Sequence, residues 1–365
     1  MEIRAALFFI IILLGIILGN GEDPKGQRRK WYVIIIISLL ILESSLRSIS
    51  VGPDTRSYYY FYQSVGEDWG DLLNSFRIAY VEGEGKDPGY GVFMRIVKSV
   101  STDFNFFLFV CALVFFVPMG FVLYRNSTHI AQLVFAFSLY VALFHIIALS
   151  GVRQQIATGF SFIALLQLMK NRNWAAVIFI IIGSLIHVSL LIFLLVPVIR
   201  IIIPKKVKVL HLFTFALMPF AIIYARNIMR LFASVLANEY YMGYSEAESS
   251  GSVYTYVILM ESLSLFCYIA IKKQSIDTNK KTGLLYTMLP LLTMTAPLIS
   301  LDGALIRVGQ YFTLYMMLLV PLAIDAMFKA TNRRVMYFSF ILILLVLSLE
   351  SGGDNYYFFW QEPQI

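Results

Sequence analysis

The chain has 365 residues, of which 59% are hydrophobic and 14% are charged, and its formal net charge is +7. Soluble domains have about 25% charged residues, so this composition excludes a soluble globular protein and predicts a multi-pass membrane protein. The basic residues lie mainly in short loops between apolar segments, where they set orientation and do not indicate nucleic-acid binding.

The apolar segments predict an all-α integral membrane protein with about twelve transmembrane or re-entrant helices. External amphipathic helices are expected as well, because aromatic and charged residues mix in one long loop. We expect a single transmembrane domain over residues 1–365, with both chain ends outside.

Cysteines and histidines give no signal for a metal or a disulfide. Both cysteines lie inside apolar segments, and the histidines lack metal spacings such as His-Glu-x-x-His. We therefore expect no metal and no cofactor. The residues concerned are Cys111, Cys267, His129, His145, His187 and His211.

The first predicted helix is Ile3–Gly19, which is read as a retained membrane helix because no cleavage site follows it. The basic loop at residues 25–30 is then cytoplasmic by the positive-inside rule. The second helix, about Trp31–Ile49, leads to an external loop at residues 51–103. This loop has eight acidic and five basic residues and many aromatic ones, and amphipathic helices are expected in it.

The third helix is predicted at about Phe104–Tyr124 and the fourth at about Ile130–Leu149, and the fifth returns to Lys170. Trp174–Pro204 is long enough for one tilted helix or for two short legs of about 20 Å each. A hairpin is preferred because it keeps the following lysines cytoplasmic, and it places His187 near the outer apex.

The last third of the chain continues the alternation of spans and loops, with a second external loop at residues 227–252. Its acidic and aromatic composition differs from that of the basic loops, which supports the external placement. The predicted spans are Val209–Arg226, Val253–Ile271, Leu284–Ser300, Ala304–Met327 and Val335–Leu349.

The turn Ser150–Gln155 carries the first functional signal. Arg153 lies there in the first turn of a membrane helix, where a cation is costly unless something uses it. The amino end of a helix is already partly positive, and a bound anion would compensate both charges. Arg307 also lies in the first turn of a predicted membrane helix, after a glycine-containing turn. The two arginines together therefore suggest a binding site for pyrophosphate. The alternative is that each arginine reaches lipid headgroups.

Three further residues have more than one open interpretation. His187, near Ser189, is either a general base or sugar ligand, or a buried histidine bonded to a neighbouring helix. Asp54, beside Arg56, is either a base, a group that orients the arginine, or a simple turn residue. Tyr58 and the other external tyrosines either stack on sugars or form an interfacial belt.

Several short motifs resemble those of the EpsG family of bacterial envelope polysaccharide polymerases, which includes O-antigen polymerases of the Wzy type. The most specific is Arg-Gln-Gln-Ile-Ala in the turn that contains Arg153. The motifs occur in the family's order and are Gly52–Tyr58, Asp87–Tyr90, Ser150–Ala157, His187–Ser189 and Arg307–Tyr311.

This resemblance implies a metal-independent glycosyltransferase at the outer face of the plasma membrane. Donor and acceptor would be undecaprenyl-pyrophosphate-linked oligosaccharides, with undecaprenyl pyrophosphate leaving, and a chain-length-regulating co-polymerase is a further partner that the resemblance allows. Arg153 and Arg307 would hold the pyrophosphate with support from Arg56. His187 or Asp54 would be the base, and Gln154 and Tyr58 would position sugar or phosphate.

Two other functions remain open from the sequence. A flippase or transporter for lipid-linked oligosaccharide would show an internal repeat and polar residues on both faces, whereas the polar residues here cluster on one face. An O-antigen ligase shares the leaving-group chemistry and differs in its acceptor. An acyltransferase is disfavoured, because no membrane histidine with an acidic partner is evident from the sequence.

Overall fold

A computed structural model shows an all-helical chain, which confirms the predicted fold class. The structure describes residues 3–19, 23, 25–66, 68–82, 87–236, 251–271, 277–350 and 356–361. Within these ranges the extended structure is one isolated bridge between Arg47 and Phe358.

The contacts of the chain group it into two compact units. Unit 1 comprises Met1–Gln167, Trp174–Leu191 and Ala330–Ile365. Unit 2 comprises Leu168–Asn173 and Ile192–Lys329. The polar cluster that we describe below lies in unit 1.

Unit 1 holds eleven of the helices that the described residues form. The first ten are α1 Ile3–Gly19, α2 Gln27–Ser45, α3 Thr55–Ser64, α4 Trp69–Arg77, α5 Pro88–Lys98, α6 Phe104–Asn126, α7 Ile130–Leu143, α8 His145–Ser150, α9 Val152–Met169 and α10 Asn173–Ile186. The eleventh closes the unit near the end of the chain, at Ala330–Glu350, and we call it α19.

Unit 2 begins after a 3₁₀ segment, Val188–Leu194, which follows α10. Its helices are α11 Leu195–Ile202, α12 Val207–Ile223, α13 Ala225–Leu236, α14 Gly251–Ile271, α15 Lys281–Tyr286, α16 Met288–Ile299, α17 Ile306–Thr313 and α18 Met316–Met327.

Several helices are long and apolar enough to cross a membrane, as a multi-pass protein requires. In the described residues they are Phe104–Asn126, Val253–Ile271, Lys281–Ile299 and Ala330–Leu349. Shorter apolar helices accompany them at Ile3–Gly19, Ile130–Leu143, Asn173–Ile186 and Val188–Ile202.

Two more apolar pairs in unit 2 are bent. Val207–Ile223 and Ala225–Leu231 meet at 84°, and Ile306–Thr313 and Met316–Met327 meet at 43°. The first bend differs from the sequence prediction, which had a span ending at Arg226 and an external loop from there. Residues 237–250, most of that predicted loop, lie outside the described residues.

The loop at residues 51–103, whose external placement stays a prediction, contains the expected amphipathic helices, α3, α4 and α5. Their aromatic residues divide into two sets. Tyr58, Tyr62 and Tyr90 are buried in a core against Phe107 on α6, whereas Tyr60 and some other rings are exposed. The buried set therefore fixes these helices against α6, and the prediction of an interfacial belt stays open only for the exposed set.

The fourth predicted helix, Ile130–Leu149, is broken where the prediction had it continuous. The structure ends α7 at Leu143 and restarts at His145 as α8. His145 then lies with its Nε2 3.0 Å from Oε1 of Glu43, and both side chains are buried. The break therefore brings a buried histidine against a buried carboxylate, each of which would be costly to bury without a polar neighbour.

The contacts of Arg200 agree with the chain reversal of the predicted hairpin in Trp174–Pro204, and the orientation of that hairpin across a membrane stays a prediction. Arg200, late in the second leg, donates from Nη1 to the Leu168 carbonyl at 2.5 Å and to Asn173 Oδ1 at 3.3 Å. Its Nη2 also donates to Asn171 Oδ1. The end of the hairpin thus lies beside its start, so the chain reverses between them. The break falls at His187, between α10 and the 3₁₀ segment.

Candidate active site

The turn around Gly151 is formed as the sequence predicts. α8 ends at Ser150 and α9 begins at Val152, so Arg153 occupies the first turn of α9. The first external motif packs against the same turn, because Gly52 approaches the carbonyl of Leu149. A Cβ on Gly52 would lie 3.2 Å from that oxygen, and the positive φ of 84° also favours glycine there.

Asp87 joins Arg153 to His187. Nη1 of Arg153 donates to Oδ2 of Asp87 at 3.0 Å, and Nδ1 of His187 lies 3.2 Å from the same oxygen. The second carboxylate oxygen of Asp87 accepts the backbone N–H of Val188 at 3.0 Å. Two distant parts of the chain, at Arg153 and at His187–Val188, therefore converge on one carboxylate.

The carboxylate is held by a constrained piece of backbone. Asp87 has φ 56° and ψ 49°, a left-handed conformation that is uncommon outside glycine, and it directly precedes Pro88. Gly89 follows, and a Cβ there would lie 2.7 Å from both the Cβ and the carbonyl oxygen of Leu185. The amino end of α5 therefore contacts the end of α10 directly, which brings Asp87 to His187.

The electrostatics of the cluster favour an ionised Asp87. Burial of the carboxyl by itself raises its pKa, because only 1% of the side chain is exposed. The hydrogen bond and charge of His187, the amide of Val188 and the charge of Arg153 outweigh that effect. The pKa of Asp87 is consequently lowered from its usual value of 3.8.

The imidazole of His187 is fixed through one nitrogen only. Nδ1 faces Asp87, and Nε2 has no hydrogen-bond partner among the described residues. About a fifth of the side chain, 21%, is exposed. A carboxylate on Nδ1 favours the tautomer that carries its proton there, which leaves Nε2 as an acceptor. The arrangement suits a general base. It also corrects the sequence-based expectation that no histidine has an acidic partner, because the partner comes from a distant part of the chain.

The guanidinium of Arg153 uses only part of its hydrogen-bonding capacity on Asp87. It lies 5.7 Å from the centroid of the Tyr90 ring, and 27% of the side chain is exposed. Tyr58 packs edge-on against Tyr90 at 5.9 Å between ring centroids. The aromatic rings hold the planar group in position, and its remaining N–H groups can still bind an anion.

Gln154 follows Arg153 and is buried, and its Oε1 lies 3.4 Å from the Ser189 hydroxyl. This long hydrogen bond links the start of α9 to the segment after His187. Tyr58 and Gln154 thus lie with Arg153 and His187 in one region of unit 1.

The other sequence-predicted residues are placed as follows. Asp54 is the residue before α3 and is half-buried, whereas Arg56 in the first turn of α3 is exposed. Among described residues, the hydrogen bonds and ion pairs of Asp87, Arg153 and His187 do not involve Asp54. Arg307 lies in the first turn of α17, as predicted, and belongs to unit 2. Its cooperation with Arg153 stays a prediction.

Asp87 is the residue that the sequence reasoning missed. The sequence identifies it only as part of the motif Asp87–Tyr90, without a chemical role. The available signal was an aspartate directly before Pro-Gly in an aromatic external loop. Nothing in the sequence spacing brings it to positions 153 and 187, which lie 66 and 100 residues further along.

A second set of the same residue types lies elsewhere in unit 1. Glu43 pairs with His145, and Arg47 follows with Nη1 donating to the Ser44 carbonyl at 2.6 Å. All three charged or titratable side chains are buried, at 5% exposed or less. The C-terminal Tyr356 hydroxyl donates to the Glu43 carbonyl at 2.5 Å and helps to cover this set.

Comparison with known proteins gives one match. The model of the EpsG family matches residues 30–351, which is most of the chain and includes both sets of residues. No curated protein and no solved structure matches the chain.

Proposed function

The chain belongs to the EpsG family, a family of Wzy-type polymerases, and from this premise we propose that it polymerises lipid-linked repeat units. The repeat units are carried on undecaprenyl pyrophosphate, and the product is an O-antigen or a related surface glycan. The reaction takes place on the outer face of the plasma membrane and requires no metal.

One observation carries the proposal: a single buried carboxylate, Asp87, contacts both a guanidinium and an imidazole. Glycosyl transfer from a pyrophosphate ester requires a cation for the leaving group and a base for the acceptor hydroxyl. Arg153 and His187 are groups of these two kinds, and their common partner fixes the spacing between them. Both are partly exposed, so a substrate can reach them.

In the proposed reaction the acceptor hydroxyl oxygen attacks the anomeric carbon of the donor glycan. Nε2 of His187 takes the hydroxyl proton, and Asp87 stabilises the imidazolium that forms. The bond between the anomeric carbon and the pyrophosphate oxygen breaks, and the electron pair leaves with undecaprenyl pyrophosphate. Arg153 binds the charge that develops on this leaving group.

The remaining predicted residues take supporting roles in the proposal. Arg307 and Arg56 add positive charge for the pyrophosphate, and Gln154 and Tyr58 position sugar or phosphate. Asp54 is the alternative base. His187 is preferred because it already has a carboxylate on Nδ1 and an accessible Nε2.

The test is complementation of a deletion strain, read on a gel of its surface polysaccharide. The intact gene should restore a ladder of chain lengths, and Arg153→Ala should give at most one repeat with normal protein abundance. Arg153→Lys should fail as well, because an ammonium lacks the planar fork. Arg172→Ala is the matched control, since Arg172 is an exposed arginine in the loop after α9. Long chains in the Arg153→Ala strain would refute the assignment.

The same gel separates the two alternative functions. A deletion strain that retains single-repeat product lacks a polymerase. A strain that loses all capped product lacks a flippase or an O-antigen ligase instead.

Orientation is tested independently with Arg153→Cys and Arg307→Cys in a cysteine-free background. Both cysteines should react with a membrane-impermeant maleimide added from outside intact spheroplasts. Reaction of only one of them would separate the two arginines and exclude a shared pyrophosphate.

A further inference from the structure

Two cavities of unit 1 have linings that include none of the residues of the Asp87 cluster. One of about 620 Å³ lies between α1, α7 and α19 and is lined by apolar side chains, among them Ile16, Phe338 and Leu342. These three side chains are between 50 and 70% exposed, so the cavity is a groove on the outer surface of the unit. An exposed apolar groove of this kind is a site for a lipid chain in a membrane protein.

Two glycines of α1 shape the groove. A Cβ on Gly15 would lie 2.4 Å from Cγ2 of Val134, so α1 approaches α7 closely at this point. Gly19, one turn further on, also lines the groove. From Ile12 to Gly19 the groove follows α1 for about 10 Å.

One end of the groove is basic. A second cavity of about 280 Å³ adjoins it, since His129 and Ala131 line both. This cavity is also lined by Arg333, Arg334 and Tyr337. The lining of the two cavities includes no acidic side chain among the described residues. The groove therefore joins an apolar channel to a cationic end, which matches the layout of an anionic lipid.

The basic end lies far from the candidate active site along the helices. His129 precedes α7, whereas Arg153 follows α8, and α7 alone is 14 residues or about 21 Å long. A lipid whose phosphate lies at His129 cannot present it to Arg153. The occupant is thus separate from the lipid-linked substrate.

We propose that this groove binds one anionic phospholipid, with an acyl chain along Gly15 and Gly19 and its phosphate at Arg333, Arg334 and His129. Phosphatidylglycerol is the probe that fits this chemistry, and phosphatidylcholine is its uncharged counterpart. The two arginine side chains make the site selective for an anionic headgroup, and the two glycines leave room for the acyl chain.

Native mass spectrometry of the purified full chain in neutral detergent tests the proposal. At equal lipid concentration, the fraction of protein that retains one phosphatidylglycerol should exceed the fraction that retains one phosphatidylcholine by about tenfold. Arg333→Gln/Arg334→Gln should remove this preference. Lys205→Gln/Lys206→Gln is the matched control, because it removes two adjacent exposed charges of unit 2 and should leave the preference intact.

A steric variant tests the groove without changing its charge. Ala131 is exposed and lines both cavities, so Ala131→Phe fills the passage between them and should abolish phosphatidylglycerol retention. Size-exclusion elution and thermal melting of each variant show that it is folded.

Three results would overturn the proposal. The first is equal retention of the two phospholipids by the intact protein, and the second is unchanged retention by folded Ala131→Phe protein. The third is displacement of phosphatidylglycerol by an equal concentration of undecaprenyl phosphate, which would make the groove a site for the substrate lipid.

Discussion

Unit 1 contains the same three kinds of side chain twice: Asp87, His187 and Arg153 in one place, and Glu43, His145 and Arg47 in another. The exposed fractions differ most. In the first set the histidine and arginine side chains are 21% and 27% exposed. In the second set every member is buried, at 5% or less. Residue type alone does not distinguish a candidate active site from a structural cluster.

Hydrogen bonding separates the two sets further. Asp87 contacts both its arginine and its histidine, so it sets their spacing and leaves one face of each available. Arg47 instead donates to the carbonyl and hydroxyl of Ser44, close in sequence, and thereby fastens the end of α2. The first arrangement can accept a ligand, whereas the second holds helices together.

The histidines give the sharpest test of this contrast. His187→Ala removes the proposed base, so chain extension should fall by roughly 10²–10⁴-fold while protein abundance stays normal. The measurement is the rate of repeat addition in membrane vesicles supplied with lipid-linked repeat units, alongside an immunoblot. Normal extension in the His187→Ala strain would transfer the base role to Asp54 or to another group.

His145→Ala should give the opposite pattern. It leaves the buried carboxylate of Glu43 without its partner, and breaking a buried pair in this way costs about 3–5 kcal/mol. Protein abundance and melting temperature should therefore fall, and activity per remaining molecule should change little. A folded, abundant His145→Ala protein with no activity would show that His145 takes part in the reaction. The contrast between a candidate active site and a structural cluster would then be wrong.

Asp87→Asn tests whether the shared carboxylate positions the active groups. We expect a loss of up to about 10⁴-fold in chain extension, because the amide can still accept from Val188 but no longer favours the tautomer of His187 that leaves Nε2 free to act as the base. The lowered pKa of Asp87 means that its ionised form stabilises the fold above about pH 4 and that this stability is lost as the pH falls through the lowered value. The melting temperature of the wild-type protein should therefore fall below about pH 4. The part of this fall that is due to Asp87 should be absent from the Asp87→Asn protein.

The helices were largely predictable, because apolar runs bounded by charged loops determine them. The first helix, Ile3–Gly19, agrees with the prediction at both ends. α2 starts earlier than predicted, at Gln27, where Asp23 accepts the amides of Arg28 and Arg29, and it also ends earlier, at Ser45. The break at Phe144 carries no sequence signal, because the surrounding residues form one almost continuous apolar run.

The site was predictable only in part. Arg153 and His187 stand out as polar residues in apolar surroundings, a local signal that the sequence contains. Asp87 carries no such signal, because it lies in a polar loop between apolar segments, where aspartate is common. Its role depends on Gly89 packing against Leu185 and on the hairpin turn at His187, which are tertiary features.

Gly89→Ala probes the packing that brings Asp87 to His187. The added methyl would overlap the backbone of Leu185, which cannot move as a flexible side chain could. Such overpacking costs about 1–3 kcal/mol, and it should lower chain extension by about tenfold through displacement of Asp87. Gly91→Ala is the control on the same helix, since its nearest neighbour is the end of the Leu72 side chain at 3.3 Å. Equal effects of the two variants would show that α5 does not set the position of Asp87.

The smallest effect is expected at Ser189. Its hydroxyl lies 3.4 Å from Gln154 Oε1, a distance at which a hydrogen bond contributes little. Ser189→Ala should therefore lower chain extension by less than about threefold, whereas Gln154→Ala removes a buried group beside Arg153 and should have the larger effect. The relative rates of repeat addition in vesicles measure the difference. A large loss in Ser189→Ala would mean that the hydroxyl contacts substrate directly, and the proposed site would then extend beyond the residues that Asp87 joins.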